Sequence, residues 1–391
     1  MVPIDFENNP WKSTYPLIAA QEAASPYLGN RSLYRAIIAL SGLHLANIKG
    51  PELGKYDMVT ALHYHGLALG EIRESLSHPL KNSNNTVLAA MIVITLAENC
   101  FQGTGREWRT HLGSALRYNI HDLSLELSNQ GHDTWVMTQT LAMFAIIAQT
   151  SRGHSKSSSG FLTNILEGLQ NIMAHPCFGY TIGGNSRLLN AILQVRSLEE
   201  QMAMTKTVKD TEANILVHHE VEIIMRELNI DACNDEVDIF LSGGLPTDNT
   251  NGSPEKRSQV KMHFDLLAAS ILIYCQRNIL DVQPSAVISH VHKVLTYANT
   301  FMESHRGVVF IWSVFIAAAE AYTPETQALA SRIFDRAEKR SEANRKAMHR
   351  IIRQVWVDRQ RIAFEWCCDP GEVPVDWRVV MESLNIDILL L

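Results

Sequence analysis

"SLYRAIIALSGLHLANI" (Ser32–Ile48) decides the fold class. Its apolar residues recur at i, i+3, i+4 and i+7 behind a serine suited to cap a helix. The same period returns on both sides of it. "KYDMVTALHYHGLALGEIRESL" follows the break "GPEL", and "NSNNTVLAAMIVITLAENCF" opens behind an Asn/Ser cluster suited to capping. Next come "GREWRTHLGSALRY" (Gly105–Tyr118) and "HDTWVMTQTLAMFAIIAQTS", the latter with Asp133 or Thr134 as its cap. "NSRLLNAILQVRSLEEQMAM", "EANILVHHEVEIIMREL", "QVKMHFDLLAASILIYCQRNI", "SAVISHVHKVLTYANTFMESH" and "VVFIWSVFIAAAEAY" continue the series. A single long final helix is predicted from about Thr326 to Phe364. The polar stretches 151–161 and 242–258 read as flexible loops. Strand alternation is nearly absent and no solenoid period appears. The expected fold is all-α, one large multi-helix bundle over residues 1–391.

The bulk composition fits that expectation and narrows function. The 391 residues are 46% apolar and 19% charged, which suits a soluble globular chain with a sizeable core. A formal charge of −7 argues against a broad nucleic-acid-binding surface and leaves room only for a local basic face. The 6 cysteines form no C-x2-C pair, so no zinc knuckle is encoded, and they read as reduced core thiols. "MVPIDFENNPWKS" lacks the apolar core of a secretory signal. The longest apolar runs, "LAAMIVITLA" (Leu88–Ala97) and "VVFIWSVFIAAA" (Val308–Ala319), fall short of the roughly 20 residues a membrane helix needs. Both are expected to be buried core helices, with no membrane partner.

Taken in order, several segments resemble one family. "NPWKSTYPLIAAQEAASPYLGNRSLYRAIIALSGLHLA", "LAENCFQGTGREWRTHLGSALRY", "WSVFIAAAEAY" and the tail "VWVDRQRI…VDWRVVMESLNIDILLL" are similar to the fungal-specific transcription factor domain. That domain is the helical regulatory region found C-terminal to a binuclear zinc–cysteine cluster in fungal activators. Each match is a helix-packing pattern, and their collinear succession along the chain carries the resemblance. The resemblance implies a nuclear role in transcription over a metabolic pathway, secondary metabolism included. The family's C-x2-C-x6-C module is missing from these residues, so direct reading of DNA through a zinc-cluster helix is not expected. A protein partner, a homo- or heterodimer, or a small hydrophobic metabolite would then be the means of action.

The candidate residues each carry two readings. On a helix starting near Gly105, Trp108, His111, Leu112 and Ala115 share a face. They either dock that helix, or Glu98, Arg109 and His111 line a cavity for an anionic or polar ligand. Ser114 lies only three residues from His111 and no G-x-S-x-G elbow exists, so a serine hydrolase is rejected. In "WSVFIAAAEA" (Trp312–Ala321), Glu320 falls on the face of Trp312 in an otherwise apolar helix, and a carboxylate there needs a partner. An arginine of the last helix is the structural candidate; a ligand beside Trp312 and Glu320 is the functional one.

His218 and Glu222 in "HHEVE" have metal-ligand spacing but read more simply as solvated helix surface, and His63/His65 and His290/His292 point to different faces. No metal site is therefore assigned. The basic residues of the final helix, Arg332 to Arg361, offer either a solvated face or a surface for an acidic partner.

Two functions of different class follow. The first is a transcriptional regulator without its own DNA-binding module, nuclear, with no cofactor. The alternative is a cytoplasmic biosynthetic enzyme on the same scaffold acting on a hydrophobic metabolite, for example a non-standard magnesium-dependent isoprenoid diphosphate cyclase. Against the latter, D-D-x-x-D is absent and "NDEVD" (Asn234–Asp238) matches a second metal motif poorly. Whether the chain is an enzyme stays open at this point.

Overall fold

A computed structural model describes residues 15, 16, 19, 28–77, 84–101, 105, 107–123, 132–151, 172–175, 177–208, 211–230, 234–242, 253–304, 309–339 and 343–391. Among the described residues there are helices and turns and no strand. The first five helices are α1 (Leu28–Leu53), α2 (Lys55–Ser77), α3 (Asn84–Phe101), α4 (Glu107–Leu123) and α5 (His132–Thr150). After a short 3-10 turn at Tyr180–Ile182 come α6 (Ser186–Val208), α7 (Thr211–Leu228) and α8 (Asn234–Leu241). Then follow α9 (Pro254–Asn278), α10 (Pro284–Ser304), α11 (Ile311–Glu320), α12 (Pro324–Lys339), α13 (Ala343–Trp366) and α14 (Trp377–Ser383).

Local chemistry sets several of these ends. Gly50, at φ 79, interrupts α1 just before Pro51, so the "GPEL" break is real backbone geometry. Ser253 caps α9 by accepting from the Lys256 amide at 3.3 Å, with Pro254 at the first helical position. Asp376 does the same for α14 through the Arg378 amide at 2.8 Å. α1 and α2 pack so closely that a Cβ on Gly42 would lie 3.0 Å from the Ala61 Cβ.

Most of the core is one apolar cluster that draws on α1 through α14 and takes in Ile386 and 388–391 at the C-terminal end, and a small second cluster of Leu43, Ala61 and Ala97 lies where α1, α2 and α3 meet. α11 is buried on every side, as its apolar residues around the whole circumference require, with Ser313 and Glu320 its only polar side chains. α9 and α10 flank it, and α13 packs across it.

Two expectations are corrected. α1 begins at Leu28, so Ser32 lies inside the helix, fully buried, and is not its cap. The single final helix is two: α12 and α13 fold back on each other, bringing the Phe334 and His349 rings into a stack at 5.5 Å. In one continuous helix those residues would be about 22 Å apart. The basic residues therefore do not form one face. Arg359 and Arg345 are buried, whereas Arg350 and Arg361 are exposed. The stretch 152–161 and most of 242–258 lie outside the described residues.

Candidate functional site

The C-terminal end of α5 is where the candidate residues converge. The last carbonyls of a helix have no partner within it and carry partial negative charge. Here arginines from two other parts of the chain reach them. Arg378 donates from Nε to the Thr150 carbonyl at 3.0 Å. Arg109 lies against the Ala148 carbonyl and donates from Nη2 to Ser151 Oγ at 3.0 Å. Trp312 adds its indole N–H to Thr150 Oγ1 at 3.0 Å.

Each of these groups has further partners that fix it. Arg109 makes a two-pronged pair with Asp387, Nε to Oδ2 and Nη2 to Oδ1, both at 2.7 Å. Its guanidinium lies over the Trp108 ring, whose N–H donates to the Asp387 carbonyl at 3.2 Å. Arg378 is wholly buried and donates to Glu199 Oε1 at 2.6 Å, the Tyr274 hydroxyl at 3.1 Å and Asn278 Oδ1 at 3.2 Å. Arg196 holds the same glutamate at 2.8 Å. Burial opposes the charge on Arg378, but Tyr274 and Glu199 outweigh it and raise its pKa. Burial and the Glu199 charge push the Tyr274 phenol up, so it stays a neutral hydroxyl.

Glu98 and His111 do come together, but with a partner that sequence reasoning missed. Glu98 Oε1 is 2.9 Å from His65 Nε2 and 3.6 Å from His111 Nε2. Burial would raise the Glu98 carboxyl. The hydrogen bonds and charge of His111 and His65 overcome it and bring it to about 2. Arg109 faces away from this group toward Asp387, so Glu98, Arg109 and His111 do not converge on one ligand.

Glu320 is paired twice. Arg359 of α13 reaches its Oε2 from Nη2 at 3.0 Å, and Arg277 of α9 reaches the same oxygen from Nε at 3.0 Å. Two cations on one carboxylate leave a positive excess in the interior, and the end of α11 absorbs it. Arg359 donates to the Ala319 and Ala321 carbonyls at 3.0 and 3.4 Å and to Val373 at 3.1 Å. Burial, helped by the like charge of Arg277 and resisted by Glu320, lowers the Arg359 pKa. Beside this group opens a cavity of about 310 Å³. Its polar wall is Glu320, Arg277, Tyr274, Asn278, Asp281 and Asp376; Ile273 and Val375 are among its apolar lining. Trp312 stands behind it, edge-on to Tyr274 at 5.7 Å.

The metal-like patterns dissolve into other roles. His218 and Glu222 are both exposed on α7. In "NDEVD", Glu236 pairs with Arg187 at 3.2 Å and Asp238 pairs with Arg257. One trio that spacing could not show is Asp335 and Glu338 on α12 with His349 on α13. Its histidine accepts at Nε2 from Arg353 Nε at 3.0 Å, so Nδ1 carries the proton and donates to Glu338 Oε1 at 2.6 Å. A metal-bound imidazole has the reverse polarity, a lone pair on the metal and an N–H given to an acceptor. Glu338, His349 and Arg353 form a hydrogen-bonded relay that joins the two helices, with Asp335 4.0 Å from His349 Nδ1.

Sequence reasoning missed Arg378, Glu199, Arg196, Asp387 and His65. The usable signal was charge inside apolar runs: "WRVV" around Arg378 and "QVRSLEEQM" around Arg196 and Glu199.

Fold and interior together define an all-α bundle protein whose buried arginines close helix ends and clamp its C-terminal segment. The model of the fungal specific transcription factor domain matches residues 1–391, and the chain belongs to that family. Membership supports a role in regulating transcription. No curated protein and no solved structure matches the chain. No helix among the described residues is long and apolar enough to cross a membrane.

Proposed function

We propose that this chain regulates transcription of the genes of a metabolic pathway, in the nucleus, by binding a protein or small-molecule partner and without a DNA-reading module of its own. The observation that carries the regulatory part is the family match over residues 1–391. The ligand part draws support from the cavity beside Glu320. Its lining is mainly polar, with Arg277, Asn278, Asp281, Glu320 and Asp376 beside Ile273 and Val375, a composition that suits a small polar metabolite better than an apolar one. The paired carboxylates of "NDEVD" give the magnesium-dependent cyclase reading no support.

Deleting the gene and recording transcripts and metabolites from the same cultures tests this reading. A group of transcripts falling together, with all their products lost, is the expected result. Steady transcripts with one accumulating intermediate would make the chain an enzyme and name its substrate.

A further inference from the structure

The cavity beside Glu320 carries polar groups without partners at two depths. At its inner end lie Glu320 and Arg277, whose side chains are only 7% and 8% exposed. Both arginines that hold Glu320 reach its Oε2, and Oε1 has no hydrogen-bond partner among the described residues. Arg277 gives Nη1 to the Val282 carbonyl and sets Nε against Glu320, which leaves its Nη2 without a hydrogen-bond acceptor there. Neither Oε1 nor Nη2 is sealed in the interior, so both open on the cavity that their side chains line. The inner end is thus an N–H donor beside a carboxylate oxygen.

At the mouth stand Asp281 and Asp376, both exposed. Asp281 follows the end of α9 in the left-handed region, at φ 51, and the next amide, that of Val282, donates to the Gln276 carbonyl at 3.2 Å. Its carboxylate has no partner among the described residues. Asp376 caps α14 through Oδ1, and its Oδ2 has no hydrogen bond among the described residues. Two helix termini therefore fix two carboxylates at the rim and leave them free to accept. Ile316 and Val375 belong to the wall and give a short alkyl chain something to lie against.

From these groups we infer that the cavity binds a small monocation with a primary ammonium at one end and a neutral carboxamide at the other. The rim aspartates take the ammonium by charge-assisted hydrogen bonds. A carboxamide matches the inner end, because its carbonyl accepts from Arg277 Nη2 while its N–H donates to Glu320 Oε1. A carboxylate in that place would meet the like charge of Glu320, and an ammonium would meet that of Arg277. A volume of about 310 Å³ lies at the small end of ligand cavities, which limits the ligand to a short chain. The inference rests on the ligand part of the reading above and gives that ligand its chemistry.

The test is isothermal titration calorimetry on the purified full chain with glycinamide, β-alaninamide, γ-aminobutyramide and ε-aminocaproamide, which vary the span between the two ends. At least one is expected to bind at a single site, at least about tenfold tighter than the amino acid of the same length and than butylamine. Asp281→Gly suits the left-handed backbone, and Asp376→Asn keeps a capping oxygen. The double variant is therefore expected to keep its helical circular dichroism and to lose at least about tenfold in affinity. No binding by any of these amides, equal binding of the matching amino acid or of butylamine, or unchanged affinity in the folded double variant would each overturn the inference. If no amide binds while deletion of the gene still silences a group of transcripts, the inference falls and the regulatory reading stands. If one binds as expected while transcripts hold steady on deletion, the site stands and the regulatory reading falls.

Discussion

Arg109 and Asp387, 278 positions apart in the chain, meet through two parallel hydrogen bonds of 2.7 Å. This pair answers what the arginine- and tryptophan-rich stretch of α4 is for: it clamps the C-terminal segment. Trp108 holds the Asp387 carbonyl, and Asn99 pairs with the Leu389 backbone in both directions, at 3.0 and 3.2 Å. Arg345 donates to the Leu391 carbonyl from the far side. Buried Ile388, Leu389 and Leu390 then fill space between α3 and its neighbours.

Asp387→Ala should therefore destabilise the fold by about 2–4 kcal/mol, because it strands a half-buried guanidinium over Trp108. Asp387→Asn, which keeps an acceptor, should cost less. Urea unfolding followed by circular dichroism measures both. Equal stability of Asp387→Ala and the unaltered chain would show that the clamp is dispensable.

His263 gives the fold a pH limit. Its Nε2 is held by the Gly183 carbonyl at 2.8 Å, its Nδ1 has no partner, and it is 1% exposed. Burial lowers its pKa from 6.5 to about 4, against the pull of that hydrogen bond. The unfolded chain thus takes up a proton first as pH falls. Stability is complete above pH 6.5 and is lost as pH drops toward 4, by about 3 kcal/mol from this group. His263→Gln keeps a donor for Gly183 and should flatten the profile across that window. An unchanged slope between pH 6.5 and 4 in the variant would count against a neutral buried His263.

Much of this architecture was written in local patterns. The run Val308–Ala319 reads as a buried core helix, which forms as Ile311–Glu320, and of the two readings of Glu320 the structure supplies the arginine partner, Arg359 of α13, together with Arg277. The division of the final helix was hidden, because the sequence between Phe334 and His349 is rich in charged helix formers and holds no proline or glycine to mark an end. The fold-back shows only in distant contacts such as Phe334 on His349. The buried ion network was hidden for a related reason. Glu199 and Arg378 lie 179 positions apart, and nothing near either one names the other.

Glu98 supplies a second, more acidic transition. Held by His111 and His65 against the effect of burial, its carboxyl falls from 4.5 to about 2. The folded chain then keeps the carboxylate after the unfolded chain has protonated it. This contribution is complete above pH 4.5 and disappears as pH falls toward 2. Glu98→Gln should remove pH dependence in that interval and leave the His263 window intact. Unfolding by urea at a series of pH values separates the two. A Glu98→Gln profile that still falls between pH 4.5 and 2 would assign the acid limb to other carboxylates.

The Arg378–Glu199 group makes an asymmetric prediction. Replacing Arg378 with methionine leaves Glu199 still bonded to Arg196, and what is lost is the Arg378 contacts to Glu199, Tyr274 and Asn278 and the cap on Thr150. The expected cost is about 3 kcal/mol. Replacing Glu199 with methionine leaves Arg196 and Arg378 facing each other in the interior with like charge, and Tyr274 loses its acceptor. That should cost about 4–5 kcal/mol or prevent folding. In the double variant the stranded charge of Arg378 is gone too, so its cost should fall below the sum of the two single costs by more than about 1 kcal/mol. Urea unfolding of the three variants closes the cycle. If the two single costs are equal and additive, the residues stabilise the core independently. A costlier Glu199→Met with strong coupling would instead make Glu199 the counter-charge that allows two arginines to be buried beside the end of α5.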